Sequence, residues 1–576
     1  MKNTFKITGI AMLLAFGPIA GFQAFAQKGW NNDGKLESTE IVVEKNRVIE
    51  LPEASRNYEK FRIDPPEKKT NKVTYRFNDY KLPDQDVNLS VRVLTIRQED
   101  LPKLYGNYVK AGFGKYSTPY LKGYFHNKRD DKAAFGGNIS HVSSNGPVEN
   151  SDVSNTEIGA HGESYMGNFT LGGRANYERD GYNFYGYNRN LVPEGKTRLD
   201  EQGFNRIGAE AYLNNLLEAN AKMQYKLGGG IKYFSDDYDA SEFDGFANLN
   251  LDYYLSKTSR VNLFSDFSYI SYNDVNKVSR PYFRIRPSYQ LDMDKLDISV
   301  GAMLAYADDN IENGDKLNFY PAVRVGFEAI ESKLILFGGL GGDLQRVTVN
   351  DLTRENPWLS SSFNFAGPDS IQAPARLGLD VRNTDKQIEI YGGVTGSLAS
   401  NVQFTAKVSY QNLKNLYYFN HSILDSSRFV LQYDDEATSL LNFYGEVVYN
   451  RADKTRFGLK MDYNNYSGLN LLEQPFYRPS MITSVFGSYN LYDKILFNAE
   501  LYYIGSSFGK IQRGLGSAAI LESDKIVDLN LKVDYRISEK FSTFVMLNNV
   551  LGKKYERFVN YPTKGFNVIG GITYTF

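Results

Sequence analysis

The ten residues from Val527 to Arg536 read VDLNLKVDYR, and their order decides the fold. Val527, Leu529, Leu531, Val533 and Tyr535 fall on one side of an extended chain, and Asp528, Asn530, Lys532, Asp534 and Arg536 fall on the other. Successive side chains of a strand point to opposite faces, so this alternation predicts a strand between two unlike media. The pattern returns with Phe457, Leu459, Met461 and Tyr463 set against Gly458, Lys460, Asp462 and Asn464. It returns again with Ile495, Phe497, Ala499, Leu501 and Tyr503 set against Asn498, Glu500 and Tyr502. At the end of the sequence, Phe566, Val568, Ile572, Tyr574 and Phe576 share a face broken only by Gly570, while Asn567, Gly571, Thr573 and Thr575 share most of the other.

A length of 576 residues would by itself suggest several domains. Composition argues for one large β structure. Aromatics make up 14% of the chain, with 43 Tyr and 37 Phe, yet the mean hydropathy is −0.44. After the first twenty residues no apolar run is long enough for a membrane-spanning helix. A chain that is aromatic, glycine-rich and polar on average is what alternating strands give when one face meets lipid and the other meets water. The net charge of −1 carries no basic excess, which argues against a nucleic-acid partner. The absence of cysteine excludes disulfides, thiolate metal sites and a lipid anchor on cysteine.

At the N-terminus, Lys2 and Lys6 precede an apolar run from Ile7 to Ala20, and Ala24, Phe25 and Ala26 form a small-x-small cleavage site. Residues 1–26 therefore read as a signal peptide that carries the chain out of the cytoplasm. Residues 27–104 are rich in charge and proline, as in RIDPPEKKTNKVTYRFNDYKLPDQD, and read as a mostly extended segment without a core of its own. The alternating region occupies 105–576.

Alternation alone would also suit a soluble sandwich, so the connections must decide. Short polar turns fall near residues 129–132, 165–168, 216–221, 255–259, 292–295, 330–333, 398–401, 451–455, 491–494 and 537–540. Longer connections lie between and beyond them, among them the Asp180–Gly203 stretch and the longest, Arg346–Lys386. Short turns at one end and long loops at the other are the asymmetry of an outer-membrane barrel. Ten turns and eleven longer connections predict a transmembrane antiparallel β-barrel of 22 strands, with 20 or 24 as the neighbouring counts. A closed barrel has no free edge, so its last strand pairs with its first over its full length. A final strand ending in Phe also resembles the signal read by the outer-membrane insertion machinery of Gram-negative bacteria, which places Phe566, Val568, Ile572, Tyr574 and Phe576 in that role.

The stretch VDLNLKVDYRISEKFSTFVMLNNVLGKKYERFVNYPTKGFNVIGGITYTF resembles the C-terminal end of TonB-dependent outer-membrane receptors. Asn548, Asn549, Val550, Lys553 and Tyr555 match the Asn-Asn-Leu-x-x-Lys-x-Tyr pattern that closes the penultimate strand there. The resemblance implies a 22-stranded barrel that imports scarce nutrients such as iron chelates, cobalamin or glycans. It also implies an N-terminal plug inside the barrel, for which residues 27–104 are too few. Thr39, Glu40, Ile41, Val42 and Val43 resemble the short box offered to TonB by strand addition, although any extended apolar pentapeptide has this look.

A 22-stranded lumen is wide enough to need closing, by the N-terminal segment, by loops folded inward, or by a partner. The lumenal charges Lys460, Glu500, Asp528, Lys532, Asp534 and Arg536 are mixed in sign, which predicts mutual pairs rather than an ion-selective lining. Two functions follow. The first is solute uptake across the outer membrane, with Tyr and Phe of the long loops gripping the solute. The second is a non-transporting subunit or scaffold in a complex with other outer-membrane proteins or lipoproteins. A remote third is an outer-membrane phospholipase, in which His141, Ser143 and Asn155 would supply base, nucleophile and orienter; otherwise no enzyme is read here. His126 and His161 share lumenal parity with Glu157 and Glu163, but their spacing is not that of a metal site. No P-loop, dinucleotide fingerprint or zinc signature is present, so no cofactor is expected. The glycine-rich GGLGGDLQ from Gly338 lies within an alternating strand, where glycine lowers bulk in the lumen or at a kink.

Overall fold

A computed structural model describes residues 106–127, 130–187, 200–215, 221–311, 315–360, 379–422, 425–451, 454–512 and 518–576. Twenty-two antiparallel strands form one sheet that closes on itself. The closing seam joins the strand Tyr108–Gly114 to Asn567–Thr575, from Tyr108 opposite Thr575 to Gly114 opposite Ile569. The backbone N–H of Phe576 then donates to the Asn107 carbonyl at 3.0 Å, so pairing continues to the last residue. Every backbone group of a closed barrel is satisfied within the sheet, which is what allows strands to cross a bilayer. No described helix is long and apolar enough to span one.

The alternation sorts as expected. Phe457, Leu459, Met461 and Tyr463 face outward and are exposed, as are Phe497, Leu501, Tyr535, Ile572, Tyr574 and Phe576. An outward apolar wall around a polar interior is the arrangement that lipid demands, and the chain is an outer-membrane β-barrel. At the seam the aromatics meet in a small rim cluster, with Phe541–Tyr574 at 4.8 Å, Tyr574–Phe576 at 5.5 Å and Phe125–Phe576 at 6.4 Å between ring centroids.

All ten short turns connect strands where the sequence puts them, and the strand count is 22. The opposite end differs from the expectation of uniformly long loops. Connections 115–117, 237–240 and 274–276 are as tight as the turns, and Tyr116 and Ser117 take positive φ of 61° and 49° to make the first of them. The longest connection runs from 346 to 383, and its described residues include the helix α1 (Val349–Glu355). Two loops carry small hairpins of their own, Tyr417–His421 with Phe429–Tyr433 and Phe508–Gln512 with Ala518–Glu522.

The glycine run sits in the strand Leu334–Gln345, whose register shifts between Gly341 and Asp343. Gly339 faces the lumen, and a Cβ there would lie 2.5 Å from the Tyr391 hydroxyl. The run therefore carries a register shift, and at Gly339 the reduced bulk makes room for Tyr391.

Candidate functional site

Short turns face the periplasm in barrels of this kind and longer loops face outward, so the loop end is extracellular. There the loops do not stand apart as solvated arms. They share a core in which Tyr418, Phe429, Leu359, Phe476 and Tyr561 are almost wholly buried. Trp358 stacks on Tyr561 at 3.8 Å, Tyr185 meets Tyr561 edge-on at 4.7 Å, and Phe429 packs against Phe558 at 5.3 Å and Tyr477 at 5.4 Å. Edge-to-face aromatic contacts at these separations add to the stability that burial already supplies.

This core crosses the mouth. The hairpin connection 415–437 and the connection 184–200 arise ten strands apart on a ring of 22, nearly opposite one another. Buried Arg428 of the first spans the gap. Its guanidinium lies 4.0 Å from the Phe184 ring, donates to the Tyr238 hydroxyl at 2.9 Å and faces Asp200 at 3.8 Å. The Tyr561 hydroxyl, from the last connection, donates to the Ser427 carbonyl, and the Trp358 indole N–H donates to the Asn183 carbonyl at 3.1 Å. The loops thus form a roof with its own apolar interior.

His421 and Asp434 tie neighbouring roof loops together. His421 Nδ1 contacts the Ser426 carbonyl at 2.6 Å, which leaves Nε2 to accept from the Tyr477 hydroxyl at 2.9 Å. Burial pushes this imidazole down to about 4, against the weaker opposing pull of the Ser426 carbonyl and Asp425. Asp434 accepts from the backbone N–H groups of Asn470, Leu471 and Leu472 at 3.1, 3.0 and 2.9 Å. Burial opposes its charge, but these donors and the Glu436 N–H outweigh it and hold the carboxyl below its ordinary range.

Beneath the roof, α1 is fastened to the lumenal wall. Thr348 caps it by accepting from Asp351 N–H at 3.1 Å. Glu242 accepts from the free N–H groups of Val349 at 2.9 Å and Asn350 at 3.2 Å, where the helix dipole favours a carboxylate. Arg206, buried against Asp180, donates to Asn350 at 2.8 Å and Thr353 at 3.1 Å. Arg354 at the other end of the helix donates to Glu178 at 2.8 Å. A polar recess of about 600 Å³ opens on the wall beside this helix.

The lumenal charges pair only in part. Lys532 and Lys110 both lie 3.0 Å from Asp534, whereas Asp528 accepts from the Tyr555 hydroxyl and Lys460 stands 5.6 Å over the Tyr444 ring. At Asp528 and Lys460 a tyrosine hydroxyl and a tyrosine ring stand where an ion pair was expected.

The phospholipase constellation does not assemble. His141 bonds the Thr156 hydroxyl at 2.8 Å rather than Ser143. Asn155, next to Thr156 on the adjoining strand, projects to the opposite face and bonds Asp180. His126 and His161 do meet, 6.0 Å apart beside Tyr124, but among the described residues no group of three or more potential ligands could hold a metal. Thr39, Glu40, Ile41, Val42 and Val43, and the question of a plug in residues 27–104, lie outside the described residues.

A closed 22-stranded barrel with an apolar outer wall and roofing loops defines the class: a large antiparallel β-barrel of the outer-membrane kind. No protein-family model matches the sequence, and no curated protein does. Solved structures do match. FpvA of P. aeruginosa, determined with heterologous pyoverdines, is 10% identical with a TM-score of 0.61 over 82% of this chain and 71% of that one. The ferric-catecholate import receptor Fiu of E. coli K12 is 11% identical with a TM-score of 0.59 over 82% of each chain. The FrpB iron transporter of Neisseria meningitidis is 9% identical with a TM-score of 0.61 over 83% of this chain and 82% of that one. At such identity the likeness is one of fold, and the resemblance of the C-terminal strands to TonB-dependent receptors holds at that level.

Proposed function

We propose that this chain is an outer-membrane uptake barrel whose extracellular mouth is held shut by its own loops and opens to pass a solute. The observation that carries this reading is the aromatic core that joins connections from nearly opposite sides of the mouth above a polar lumen. A barrel of this width left open would leak, and a roof that folds on its own core can also unfold on demand. The structural neighbours named as an import receptor and an iron transporter support the same reading. If the process is energised, Thr39, Glu40, Ile41, Val42 and Val43 form the segment that TonB would take as an added strand, and Ile41→Pro abolishes uptake because proline cannot pair there. The test is a strain lacking the protein: under limitation of iron chelates, cobalamin or glycans it grows more slowly on one of them, and normal growth on all of them sinks the proposal.

One observation favours a second reading. The loop aromatics expected to grip a solute are turned onto each other, which suits a scaffold as well as a closed receptor. A stable complex with other outer-membrane proteins, together with no nutrient phenotype, would select the scaffold.

A further inference from the structure

Among the described residues, two arginines on the lumenal wall form no ion pair. Arg286 in the strand Lys277–Met293 and Arg324 in the strand Leu317–Ile330 are both exposed to the lumen, and neither is in an ion pair or side-chain hydrogen bond. Arg286 stands 5.3 Å over the Phe264 ring, which supports its guanidinium from one side only. Both line one polar recess of about 470 Å³.

The register explains the recess. Ser288, Gly301, Ala322 and Gly341 pair in sequence across four adjacent strands and form a low floor. Arg286 rises from the row on the loop side of this floor, and Arg324, paired with Ser299, rises from the row on the turn side. Four residues of strand separate the two rows, about 13 Å at roughly 3.3 Å per residue. Two such side chains can reach toward each other over the floor and leave space for a ligand between them. The floor cannot easily rise, since a Cβ at Gly301 would lie 2.4 Å from the Pro287 carbonyl oxygen.

The other charges around the recess are mostly engaged. Lys386 pairs with Glu389 at 2.5 Å, Asp343 with Arg284 at 2.6 Å, and Arg260 donates to Gln290 at 2.6 Å. Asp297 lies at the turn-side end, one row beyond Arg324, and its charge acts on Arg324 from there without a direct ion pair. The free hydrogen-bonding capacity is therefore mainly that of two guanidinium forks, which match the paired oxygens of carboxylate and phosphate.

We propose that this recess is an anion-binding station on the lumenal wall, taking a solute that presents carboxylate or phosphate oxygens to Arg286 and Arg324. Its use in transport rests on the uptake reading; the binding does not.

The full-length protein in detergent is titrated calorimetrically with inorganic pyrophosphate, with succinate as the carboxylate competitor. Saturable binding that weakens at least tenfold in R286Q/R324Q is expected, with succinate displacing pyrophosphate. R286K/R324K keeps the charge but not the fork and is expected to bind more weakly than the native protein. R456Q, a lumenal arginine elsewhere on the wall, retains native binding and controls for general charge loss. No saturable binding by the native protein, or binding by R286Q/R324Q within twofold of it, overturns the proposal. A growth phenotype with unchanged pyrophosphate binding in R286Q/R324Q removes the station and leaves uptake standing, whereas arginine-dependent binding with no nutrient phenotype keeps the station and removes uptake.

Discussion

Phe429 shows how much the roof depends on single side chains. It is fully buried and touches rings from three connections: His421 in its own hairpin, Tyr477 in the next loop, and Phe558 and Tyr561 in the last. Phe429→Ala removes a large buried ring and is expected to cost the roof about 3 to 5 kcal/mol. Hydrogen exchange should then rise in the roof hairpins and stay unchanged in the barrel strands; equal protection in both proteins would contradict the shared core. His421 adds a pH dependence. Its folded-state value, about 4, lies below the ordinary 6.5, so protonation favours the opened roof. The roof is most stable above pH 6.5 and loses on the order of 3 kcal/mol as pH falls from 6.5 to 4. His421→Leu should flatten this dependence, and an unaltered pH profile in that variant would assign it to other groups.

At the scale of elements, the strands were legible in the sequence and the roof was not. A barrel strand faces two media, so its composition must alternate, and Val527–Arg536 carries that order in every residue. The turns were legible because they interrupt the alternation with polar residues. The roof core joins Phe204, Val349, Phe429, Phe476 and Tyr561, residues scattered over more than half the chain, and no local period reports contacts of that kind. For the same reason α1 was missed: seven residues are too few for a helical pattern, and its stability comes from wall residues far away in sequence. Glu242→Ala removes the acceptor for two backbone donors of this helix and is expected to cost about 1 to 3 kcal/mol. Faster amide exchange across 349–355 with an intact barrel would bear this out, and unchanged exchange would show that the helix is held by its other contacts. In the last strand, Ile572, Tyr574 and Phe576 share the outward face and the two aromatics join the rim cluster. If that face with Phe566 and Val568 is the insertion signal, Phe576→Ala lowers the amount of heat-modifiable barrel in outer membranes severalfold, while normal amounts would remove the signal from this residue.

For the whole molecule, the central claim is that the barrel's own loops close its mouth. The wall is a complete cylinder with a polar interior, and across its loop end lie the described connections. Arg428 and Tyr561 belong to connections that meet across the opening, and the connections joined there pack as one apolar body. The most direct measurement is conductance of the full-length protein in a planar bilayer, native beside Phe429→Ala with Tyr561→Ala. The account predicts a silent native protein and a double variant that opens to large conductance steps. A native protein that conducts steadily, or a double variant that remains silent, would contradict it.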